Sequence, residues 1–118
     1  MDSSSPLEIE RIEWFASAAD LCRAMDWLRS TLVQAGQQGR PGLDILAINK
    51  GLSFRKPYWK YIGYKGGSET GVLNLTWLLQ KSDGRWYALS TGWNDPHARL
   101  DEEKFFGLLQ SLIILLEN

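Results

Sequence analysis

The feature that most constrains the fold is a turn signal between two strand-like runs. The segment "KSDG" (81–84) separates "GVLNLTWLLQ" (71–80) from "RWYALSTGW" (85–93). Asp83 and Gly84 supply the positive φ that a tight hairpin demands, so the two runs are predicted to be antiparallel neighbours. A third strand-like run, "YWKYIGYK" (58–65), precedes them. An antiparallel sheet is therefore predicted in the centre of the chain.

Two helical patterns flank these strands. In "SAADLCRAMDWLRSTLVQAG" (17–36), Ser17 and Asp20 have the spacing of a capping box, and Gly36 is a natural stop. The apolar stripe of this helix recurs at helical spacing and comprises Leu21, Met25, Leu28 and Leu32. The segment "EEKFFGLLQSLIILLEN" (102–118) is predicted to be the second helix, with Asp101 as its N-cap.

These elements predict an α+β domain. We expect an antiparallel sheet of three to five strands, with an N-terminal-side helix and a C-terminal helix packed on one face. Shorter runs add two candidate strands: "LDILAI" (43–48), and "LEIERIEWF" (7–15) as a strand or an extended arm. Residues 1–6 are interpreted as a disordered leader, and residues 7–118 as a single domain. Apolar residues on both faces of "VLNLTWLL" (72–79) exceed what one thin layer of helices easily covers.

Composition and charge argue against several functional classes. The formal net charge is −1, and the basic residues between Lys50 and Lys60 are interpreted as a solvated loop, so no nucleic-acid partner is predicted. No apolar run approaches the roughly 20 residues that span a bilayer, so no membrane role is predicted. The single cysteine, Cys22, cannot form an intramolecular disulfide and is interpreted as a small buried hydrophobe. Six tryptophans indicate core packing in preference to a sugar-binding face, which stays an alternative.

Most catalytic constellations are missing from the sequence. The only histidine, His97, lies in a loop next to Pro96, and no triad can be argued from it. No Cys/His cluster has metal-ligand spacing, and no phosphate-binding loop occurs, because Lys65 precedes its glycines instead of following them. No catalytic residue, metal or cofactor is predicted.

The segment "KGGSETG" (65–71) is the strongest chemical signal. Alternation along "WKYIGYK" (59–65) puts Lys65 on the face of Trp59, Tyr61 and Gly63 at the end of a strand. Two interpretations remain open at this point. The segment is either a glycine-rich turn between two strands or a binding site for an anion or a carboxylate. The residues of the candidate substrate-binding site are Lys65, Gly66, Gly67, Ser68 and Thr70.

The order of elements around this segment resembles the end of a serine β-lactamase-like domain. In those enzymes and in the penicillin-binding transpeptidases, a Lys-Thr/Ser-Gly motif lies on the strand that lines the active site, followed by two strands and a C-terminal helix. Here Lys65-Gly66-Gly67 stands in place of the motif, and the resemblance extends from about Trp14 onward. It implies that Lys65 holds a substrate carboxylate. The motif's hydroxyl position is Gly66, and Ser68 or Thr70 would have to supply the missing hydroxyl.

The family's nucleophile has no counterpart at the required distance upstream. A Ser-x-x-Lys motif belongs well over one hundred residues before the lysine motif, whereas Ser53-x-x-Lys56 lies only nine residues before Lys65. The resemblance thus implies the C-terminal portion of a serine hydrolase, inactive alone and partnered by a missing N-terminal half or a second copy. The alternative is a small interaction module that forms a homo-oligomer through its sheet or helices. A complete chain would be cytoplasmic, and a piece of a longer hydrolase would be periplasmic or exported.

Overall fold

The computed structural model describes Arg11 and residues 14–118. The elements in chain order are α1 (Ala18–Gln34), α2 (Arg40–Leu46), β1 (Trp59–Glu69), β2 (Val72–Lys81), β3 (Trp86–Asn94) and α3 (Glu102–Leu116). The predicted leader and most of the predicted N-terminal strand lie outside the described residues.

One antiparallel sheet, in the order β1-β2-β3, forms the centre of the described chain. It confirms the predicted α+β class and the predicted number of strands. The β2–β3 hairpin turns where "KSDG" predicts it. The Lys81 amide donates to the Arg85 carbonyl at 2.9 Å, and Gly84 has a φ of +91°.

The turn between β1 and β2 is shorter than the sequence indicates. Glu69 pairs with Val72, so the turn consists only of Thr70 and Gly71, and Gly71 has a φ of +77°. The strand does not end at Lys65, because Gly66, Gly67 and Ser68 continue it. The glycine-rich segment is therefore mostly strand.

Capping groups begin both long helices where they are predicted. In α1 the Asp20 amide donates to the Ser17 hydroxyl at 3.1 Å, and the Ser17 amide donates to the Asp20 carboxylate at 3.0 Å. These reciprocal bonds satisfy two amides of the first turn. In α3 the Lys104 amide donates to the Asp101 carboxylate at 3.0 Å.

The helices cover opposite faces of the sheet. The residues of β2 that face α3 are buried in one cluster with Leu109 and Ile113; they are Leu73, Leu75, Trp77 and Leu79. The other face of β2 carries Leu78, and α1 packs on that side, where Arg29 lies over Trp86 of β3. The prediction of both helices on one face differs from this arrangement. The reason is that a central strand with apolar residues on both faces needs cover on both.

The predicted strand "LDILAI" is helical, so that prediction is wrong. Most of it lies in α2, whose first turn holds Pro41, and Arg40 pairs with Asp44 one turn later at 3.0 Å. A Cβ at Gly42 would come within 2.7 Å of Leu32, so the glycine lets α2 approach α1 closely. Short apolar runs do not reveal their period, and tertiary packing decided this one.

An irregularity of register at the start of β1 changes which residues share a face. Trp59 pairs with Lys81, while Tyr61 pairs with Gln80, so Lys60 is an extra residue in a bulge. The bulge turns Trp59 into the α3-side cluster, whereas the sequence alternation predicted it on the face of Tyr61 and Lys65.

The end of α3 is tied to the start of β1 by a buried carboxylate. Glu117 is 2% exposed and accepts hydrogen bonds from the Trp59 indole at 2.8 Å and from the Arg55 amide at 3.0 Å. The Arg55 guanidinium also donates to it. This cluster holds the segment before β1 against the helix.

Candidate functional site

A half-open cavity of about 730 Å³ lies between α1 and the end of the sheet that carries the β1–β2 turn. One wall is apolar and comes from Trp14, Phe15 and the α1 residues Leu21, Met25 and Leu28. The other wall is formed by β1 and β2 and is polar; it includes Lys65, Gly67, Glu69, Asn74 and Thr76. The cavity therefore offers an apolar side and a charged side to one molecule.

Lys65 belongs to a polar row that crosses all three strands. Lys65 pairs with Thr76, and Thr76 pairs with Ser90. The hydroxyl oxygens of Thr76 and Ser90 lie 2.9 Å apart. The cation and the two hydroxyl groups thus share one face of the sheet.

Lys65 has no acidic partner within residues 14–118. Its ammonium group donates to the carbonyl of the adjacent Gly66, and none of the ion pairs in this part of the chain includes it. A cation that is exposed at a cavity and bonded only to a neutral carbonyl keeps donors available for an anion.

The next row along the sheet has almost no side chains on this face. Gly67 pairs with Asn74, and Asn74 pairs with Gly92. A Cβ at Gly67 would have no heavy atom within 4 Å, so the floor of the cavity is open there. The two glycines leave the Asn74 amide as the only side chain of this row.

Gly66 lies on the opposite face, under an aromatic ring. A Cβ at Gly66 would overlap the Tyr64 hydroxyl and would lie 3.2 Å from Leu75. Burial of this phenol raises the pKa of Tyr64. A side chain at position 66 would therefore point away from Lys65 and displace Tyr64.

The remaining two predicted site residues have different positions. Ser68 lines the cavity, but it pairs with Leu73 of the α3-side cluster, so alternation turns its hydroxyl toward the α3 side of the sheet. Thr70 lies in the β1–β2 turn. The structure brings Lys65 and Gly67 together at the cavity, and it does not bring the hydroxyls of Ser68 and Thr70 to the Lys65 row.

The other groups considered from sequence lie away from Lys65. The backbone amide of Ser53 donates to Gln110 of α3 at 3.0 Å, so the Ser53-x-x-Lys56 sequence is on the α3 side of the sheet. The amide of His97 donates to the Asp95 carboxylate in an exposed loop. Within the part of the chain that the structure describes, no cluster of metal-ligand residues occurs, and no helix is both long and apolar enough to cross a membrane.

Sequence reasoning missed Asn74, Thr76 and Ser90. A signal for the first two was present, because they are the polar residues at every second position of an otherwise apolar strand. Their proximity to Lys65 depends on the pairing register, which no single strand reveals. No signal of this kind marks Ser90, whose strand mixes small and polar residues on that face.

Comparisons with known proteins do not assign the site. A scan against protein-family models matches none of them, and a search of curated proteins finds no significant match.

Proposed function

We propose that this chain is the sheet-bearing part of a serine β-lactamase-like hydrolase domain, in which Lys65 holds a carboxylate and no nucleophile is present. The observation that carries the proposal is the position of Lys65. It is a cation without an acidic partner in residues 14–118, on the polar wall of a cavity of about 730 Å³.

The chemistry of the two walls supports a ligand that is partly apolar and partly anionic. The wall of Trp14, Phe15 and α1 would bury an apolar body, and the row of Lys65 and Thr76 would hold a carboxylate by charge-assisted hydrogen bonds. The hydroxyl groups that accompany the lysine in this proposal are those of Thr76 and Ser90. They replace Ser68 and Thr70, because those two are not in the Lys65 row.

The order of the elements agrees with the resemblance found in the sequence. The lysine strand β1 is an edge strand of the sheet, and two antiparallel strands and a helix follow it. Position 66 departs from the family, since a hydroxyl there would face Tyr64 and not the cavity. The proposed ligand is for this reason defined by a carboxylate and an apolar body, and benzylpenicillin, which has both, is its probe.

The described residues around the cavity support the proposal that no nucleophile is present. Ser53 is on the α3 side, and Ser90 lies in a strand without a histidine or a second lysine beside it in the paired rows. Ser90 shares its hydrogen bond with Thr76, which is itself buried. We expect the chain to bind its ligand reversibly and not to form an acyl-enzyme.

The test compares the binding of benzylpenicillin with that of its methyl ester, which lacks the carboxylate. The variant is Lys65→Met, and the matched control is Lys60→Met, which removes the exposed lysine of the β1 bulge. We expect the acid to bind more tightly than the ester by about tenfold, and Lys65→Met to remove that difference. Lys60→Met should retain it.

Two results would overturn the proposal. Equal affinity for the acid and the ester would exclude binding of the carboxylate by Lys65. A preference for the acid that persists in Lys65→Met would exclude it as well. A covalent adduct in the intact mass spectrum would refute the statement that the chain has no nucleophile.

A further inference from the structure

The two edges of the sheet are built differently. Within the described residues, β1 and β3 each pair with β2 alone. The edge strand β1 carries Lys60, Lys65 and Glu69 and begins with a bulge, all of which discourage pairing with another strand. By contrast, β3 runs over nine residues, Trp86–Asn94, with no charged residue and no proline. An edge of that composition is suited to pairing.

The hydrogen-bond pattern determines which groups β3 presents at its free edge. The Asp95 amide donates to the Gly71 carbonyl at 2.7 Å, and the Lys81 amide donates to the Arg85 carbonyl. Because hydrogen-bonded pairs alternate along an antiparallel ladder, residues 87, 89, 91 and 93 direct their amides toward β2. The amides and carbonyls of Ala88, Ser90 and Gly92 consequently point outward.

An uncharged stripe of α3 lies beside this edge. Phe105 packs on Trp93 of β3, with ring centroids 5.9 Å apart, and so marks the flank of α3 nearest to the edge. Leu108, Leu112 and Leu115 continue that flank at spacings of three and four residues. Leu108 is 62% exposed and Leu115 is 68% exposed.

The opposite flank of α3 is already occupied. Gln110 exchanges hydrogen bonds with the backbone of Ser53, and Glu117 binds Arg55 and Trp59. Leu108 and Leu115 lie on the other flank of the helix, the one that carries Phe105. We call the outer edge of β3 together with this leucine stripe the β3 edge surface.

We propose that the β3 edge surface binds the same surface of a second copy of this chain, with the two β3 strands antiparallel about a two-fold axis at Ser90. The two sheets would join into one sheet of six strands. Ala88 would exchange backbone hydrogen bonds with the partner's Gly92, and Tyr87 would lie opposite the partner's Trp93.

The composition of β3 favours a second copy as the occupant. A two-fold interface places each residue of β3 against a defined residue of the same strand, so a charge in β3 would enter the interface twice and lose solvation at both places. None is present. The proposed register places an aromatic pair at each end and small residues at the centre, which is a favourable cross-strand arrangement.

A stable interface buries about 1,200–2,000 Å² in total, so the proposed dimer draws on the strand edge as well as on the leucine stripe. The antiparallel arrangement adds the strand edge and brings both α3 helices to the same face of the joined sheet, with their leucine stripes side by side. The proposal does not depend on any ligand at Lys65.

The test measures the dimer dissociation constant by sedimentation equilibrium over a range of concentrations. In Ala88→Pro, the proline removes an amide that points away from β2, and Ala88 is exposed. We expect this variant to raise the dissociation constant at least ~tenfold, with an unchanged circular dichroism spectrum.

Leu115→Lys leaves the strand intact and should weaken the dimer similarly. Its matched control, Ile114→Lys, changes a 46%-exposed residue on another side of α3 and should have little effect.

Amide hydrogen exchange locates the interface independently. We expect the amides of Ala88, Ser90 and Gly92 to become protected as the concentration rises. A chain that is monomeric at about 100 µM, or an Ala88→Pro dimer as tight as the native one, would overturn the proposal. Protection of these amides in a monomer would also overturn it, because another part of the chain would then cover the edge. A monomer that still binds benzylpenicillin would refute the dimer alone and leave the proposed function standing.

Discussion

Removal of the Glu117 carboxylate gives the sharpest test of how this fold is held together. The side chain is almost fully buried, and it is the acceptor for the Trp59 indole and for the amide and guanidinium of Arg55. In Glu117→Ala, the indole N–H of Trp59 remains buried without an acceptor, which costs about 1–3 kcal/mol. The Arg55 side chain is half exposed, so its ion pair adds at most about 1 kcal/mol. We expect Glu117→Ala to lower the free energy of unfolding by about 3 kcal/mol.

Glu117→Gln separates the hydrogen bonds from the charge. The amide oxygen can still accept from Trp59 and from the Arg55 amide, while the amide nitrogen faces the guanidinium. We expect a loss of about 1 kcal/mol. Urea unfolding followed by circular dichroism measures both variants, and Glu103→Ala, in the exposed first turn of the same helix, is the control. The reasoning would be refuted if Glu117→Ala stayed within about 0.5 kcal/mol of the native chain, or if Glu117→Gln were equally damaging.

The same carboxylate makes stability depend on pH. Burial of Glu117 opposes its ionisation, but the hydrogen bonds from Arg55 and Trp59 outweigh burial, and the pKa of Glu117 lies below its ordinary value of 4.5. A lowered pKa in the folded state means that the ionised group contributes stability above pH 4.5, and that this contribution is lost as the pH falls through the folded pKa. The stability difference between the native chain and Glu117→Gln should therefore shrink below that pH. A difference that stays constant down to pH 3 would contradict the assignment.

Two further stability predictions concern the cavity and its strand. Gly66→Ala places a Cβ against the Tyr64 ring and should destabilise the chain by about 1–3 kcal/mol, whereas Gly67→Ala meets open space and should change stability by less than about 1 kcal/mol in urea unfolding. An equal effect of the two substitutions would show that Tyr64 does not lie over Gly66. Thr76→Val removes the buried hydroxyl that bonds Ser90 and should cost about 1 kcal/mol in the same assay. An unchanged midpoint would mean that the Thr76–Ser90 bond contributes nothing to stability.

Local signals predicted the elements whose ends are set by the chain's own neighbouring residues. The capping box of Ser17 and Asp20, the stop at Gly36 and the hairpin at Asp83-Gly84 occur as predicted, because each depends on groups within a few residues. The segment 43–48 was wrongly predicted as a strand because its apolar residues fit either period. Its helical form is accompanied by close packing of Gly42 on Leu32 and by the bond from the Tyr61 hydroxyl to the Leu43 carbonyl.

The candidate site was predicted only in part, for a similar reason. Lys65 and its glycines are visible in the sequence because their composition is unusual for a strand. The companions of Lys65 come from strands β2 and β3, and their positions depend on a register that includes a bulge at Lys60. A shift of one residue would have turned Lys65 to the α3 side and Gly66 to the cavity.

The sequence by itself determined the α+β class, the two long helices, the hairpin and the presence of a lysine beside glycines. These follow from short-range periodicity, capping and turn chemistry, which act between near neighbours in the chain. Tertiary structure alone decided that the helices lie on opposite faces, that Lys65 joins Thr76 and Ser90, and that Phe105 of α3 packs on Trp93 of the edge strand β3. Those features arise from pairing and packing between segments far apart in the chain, where burial and register, not local preference, select the arrangement.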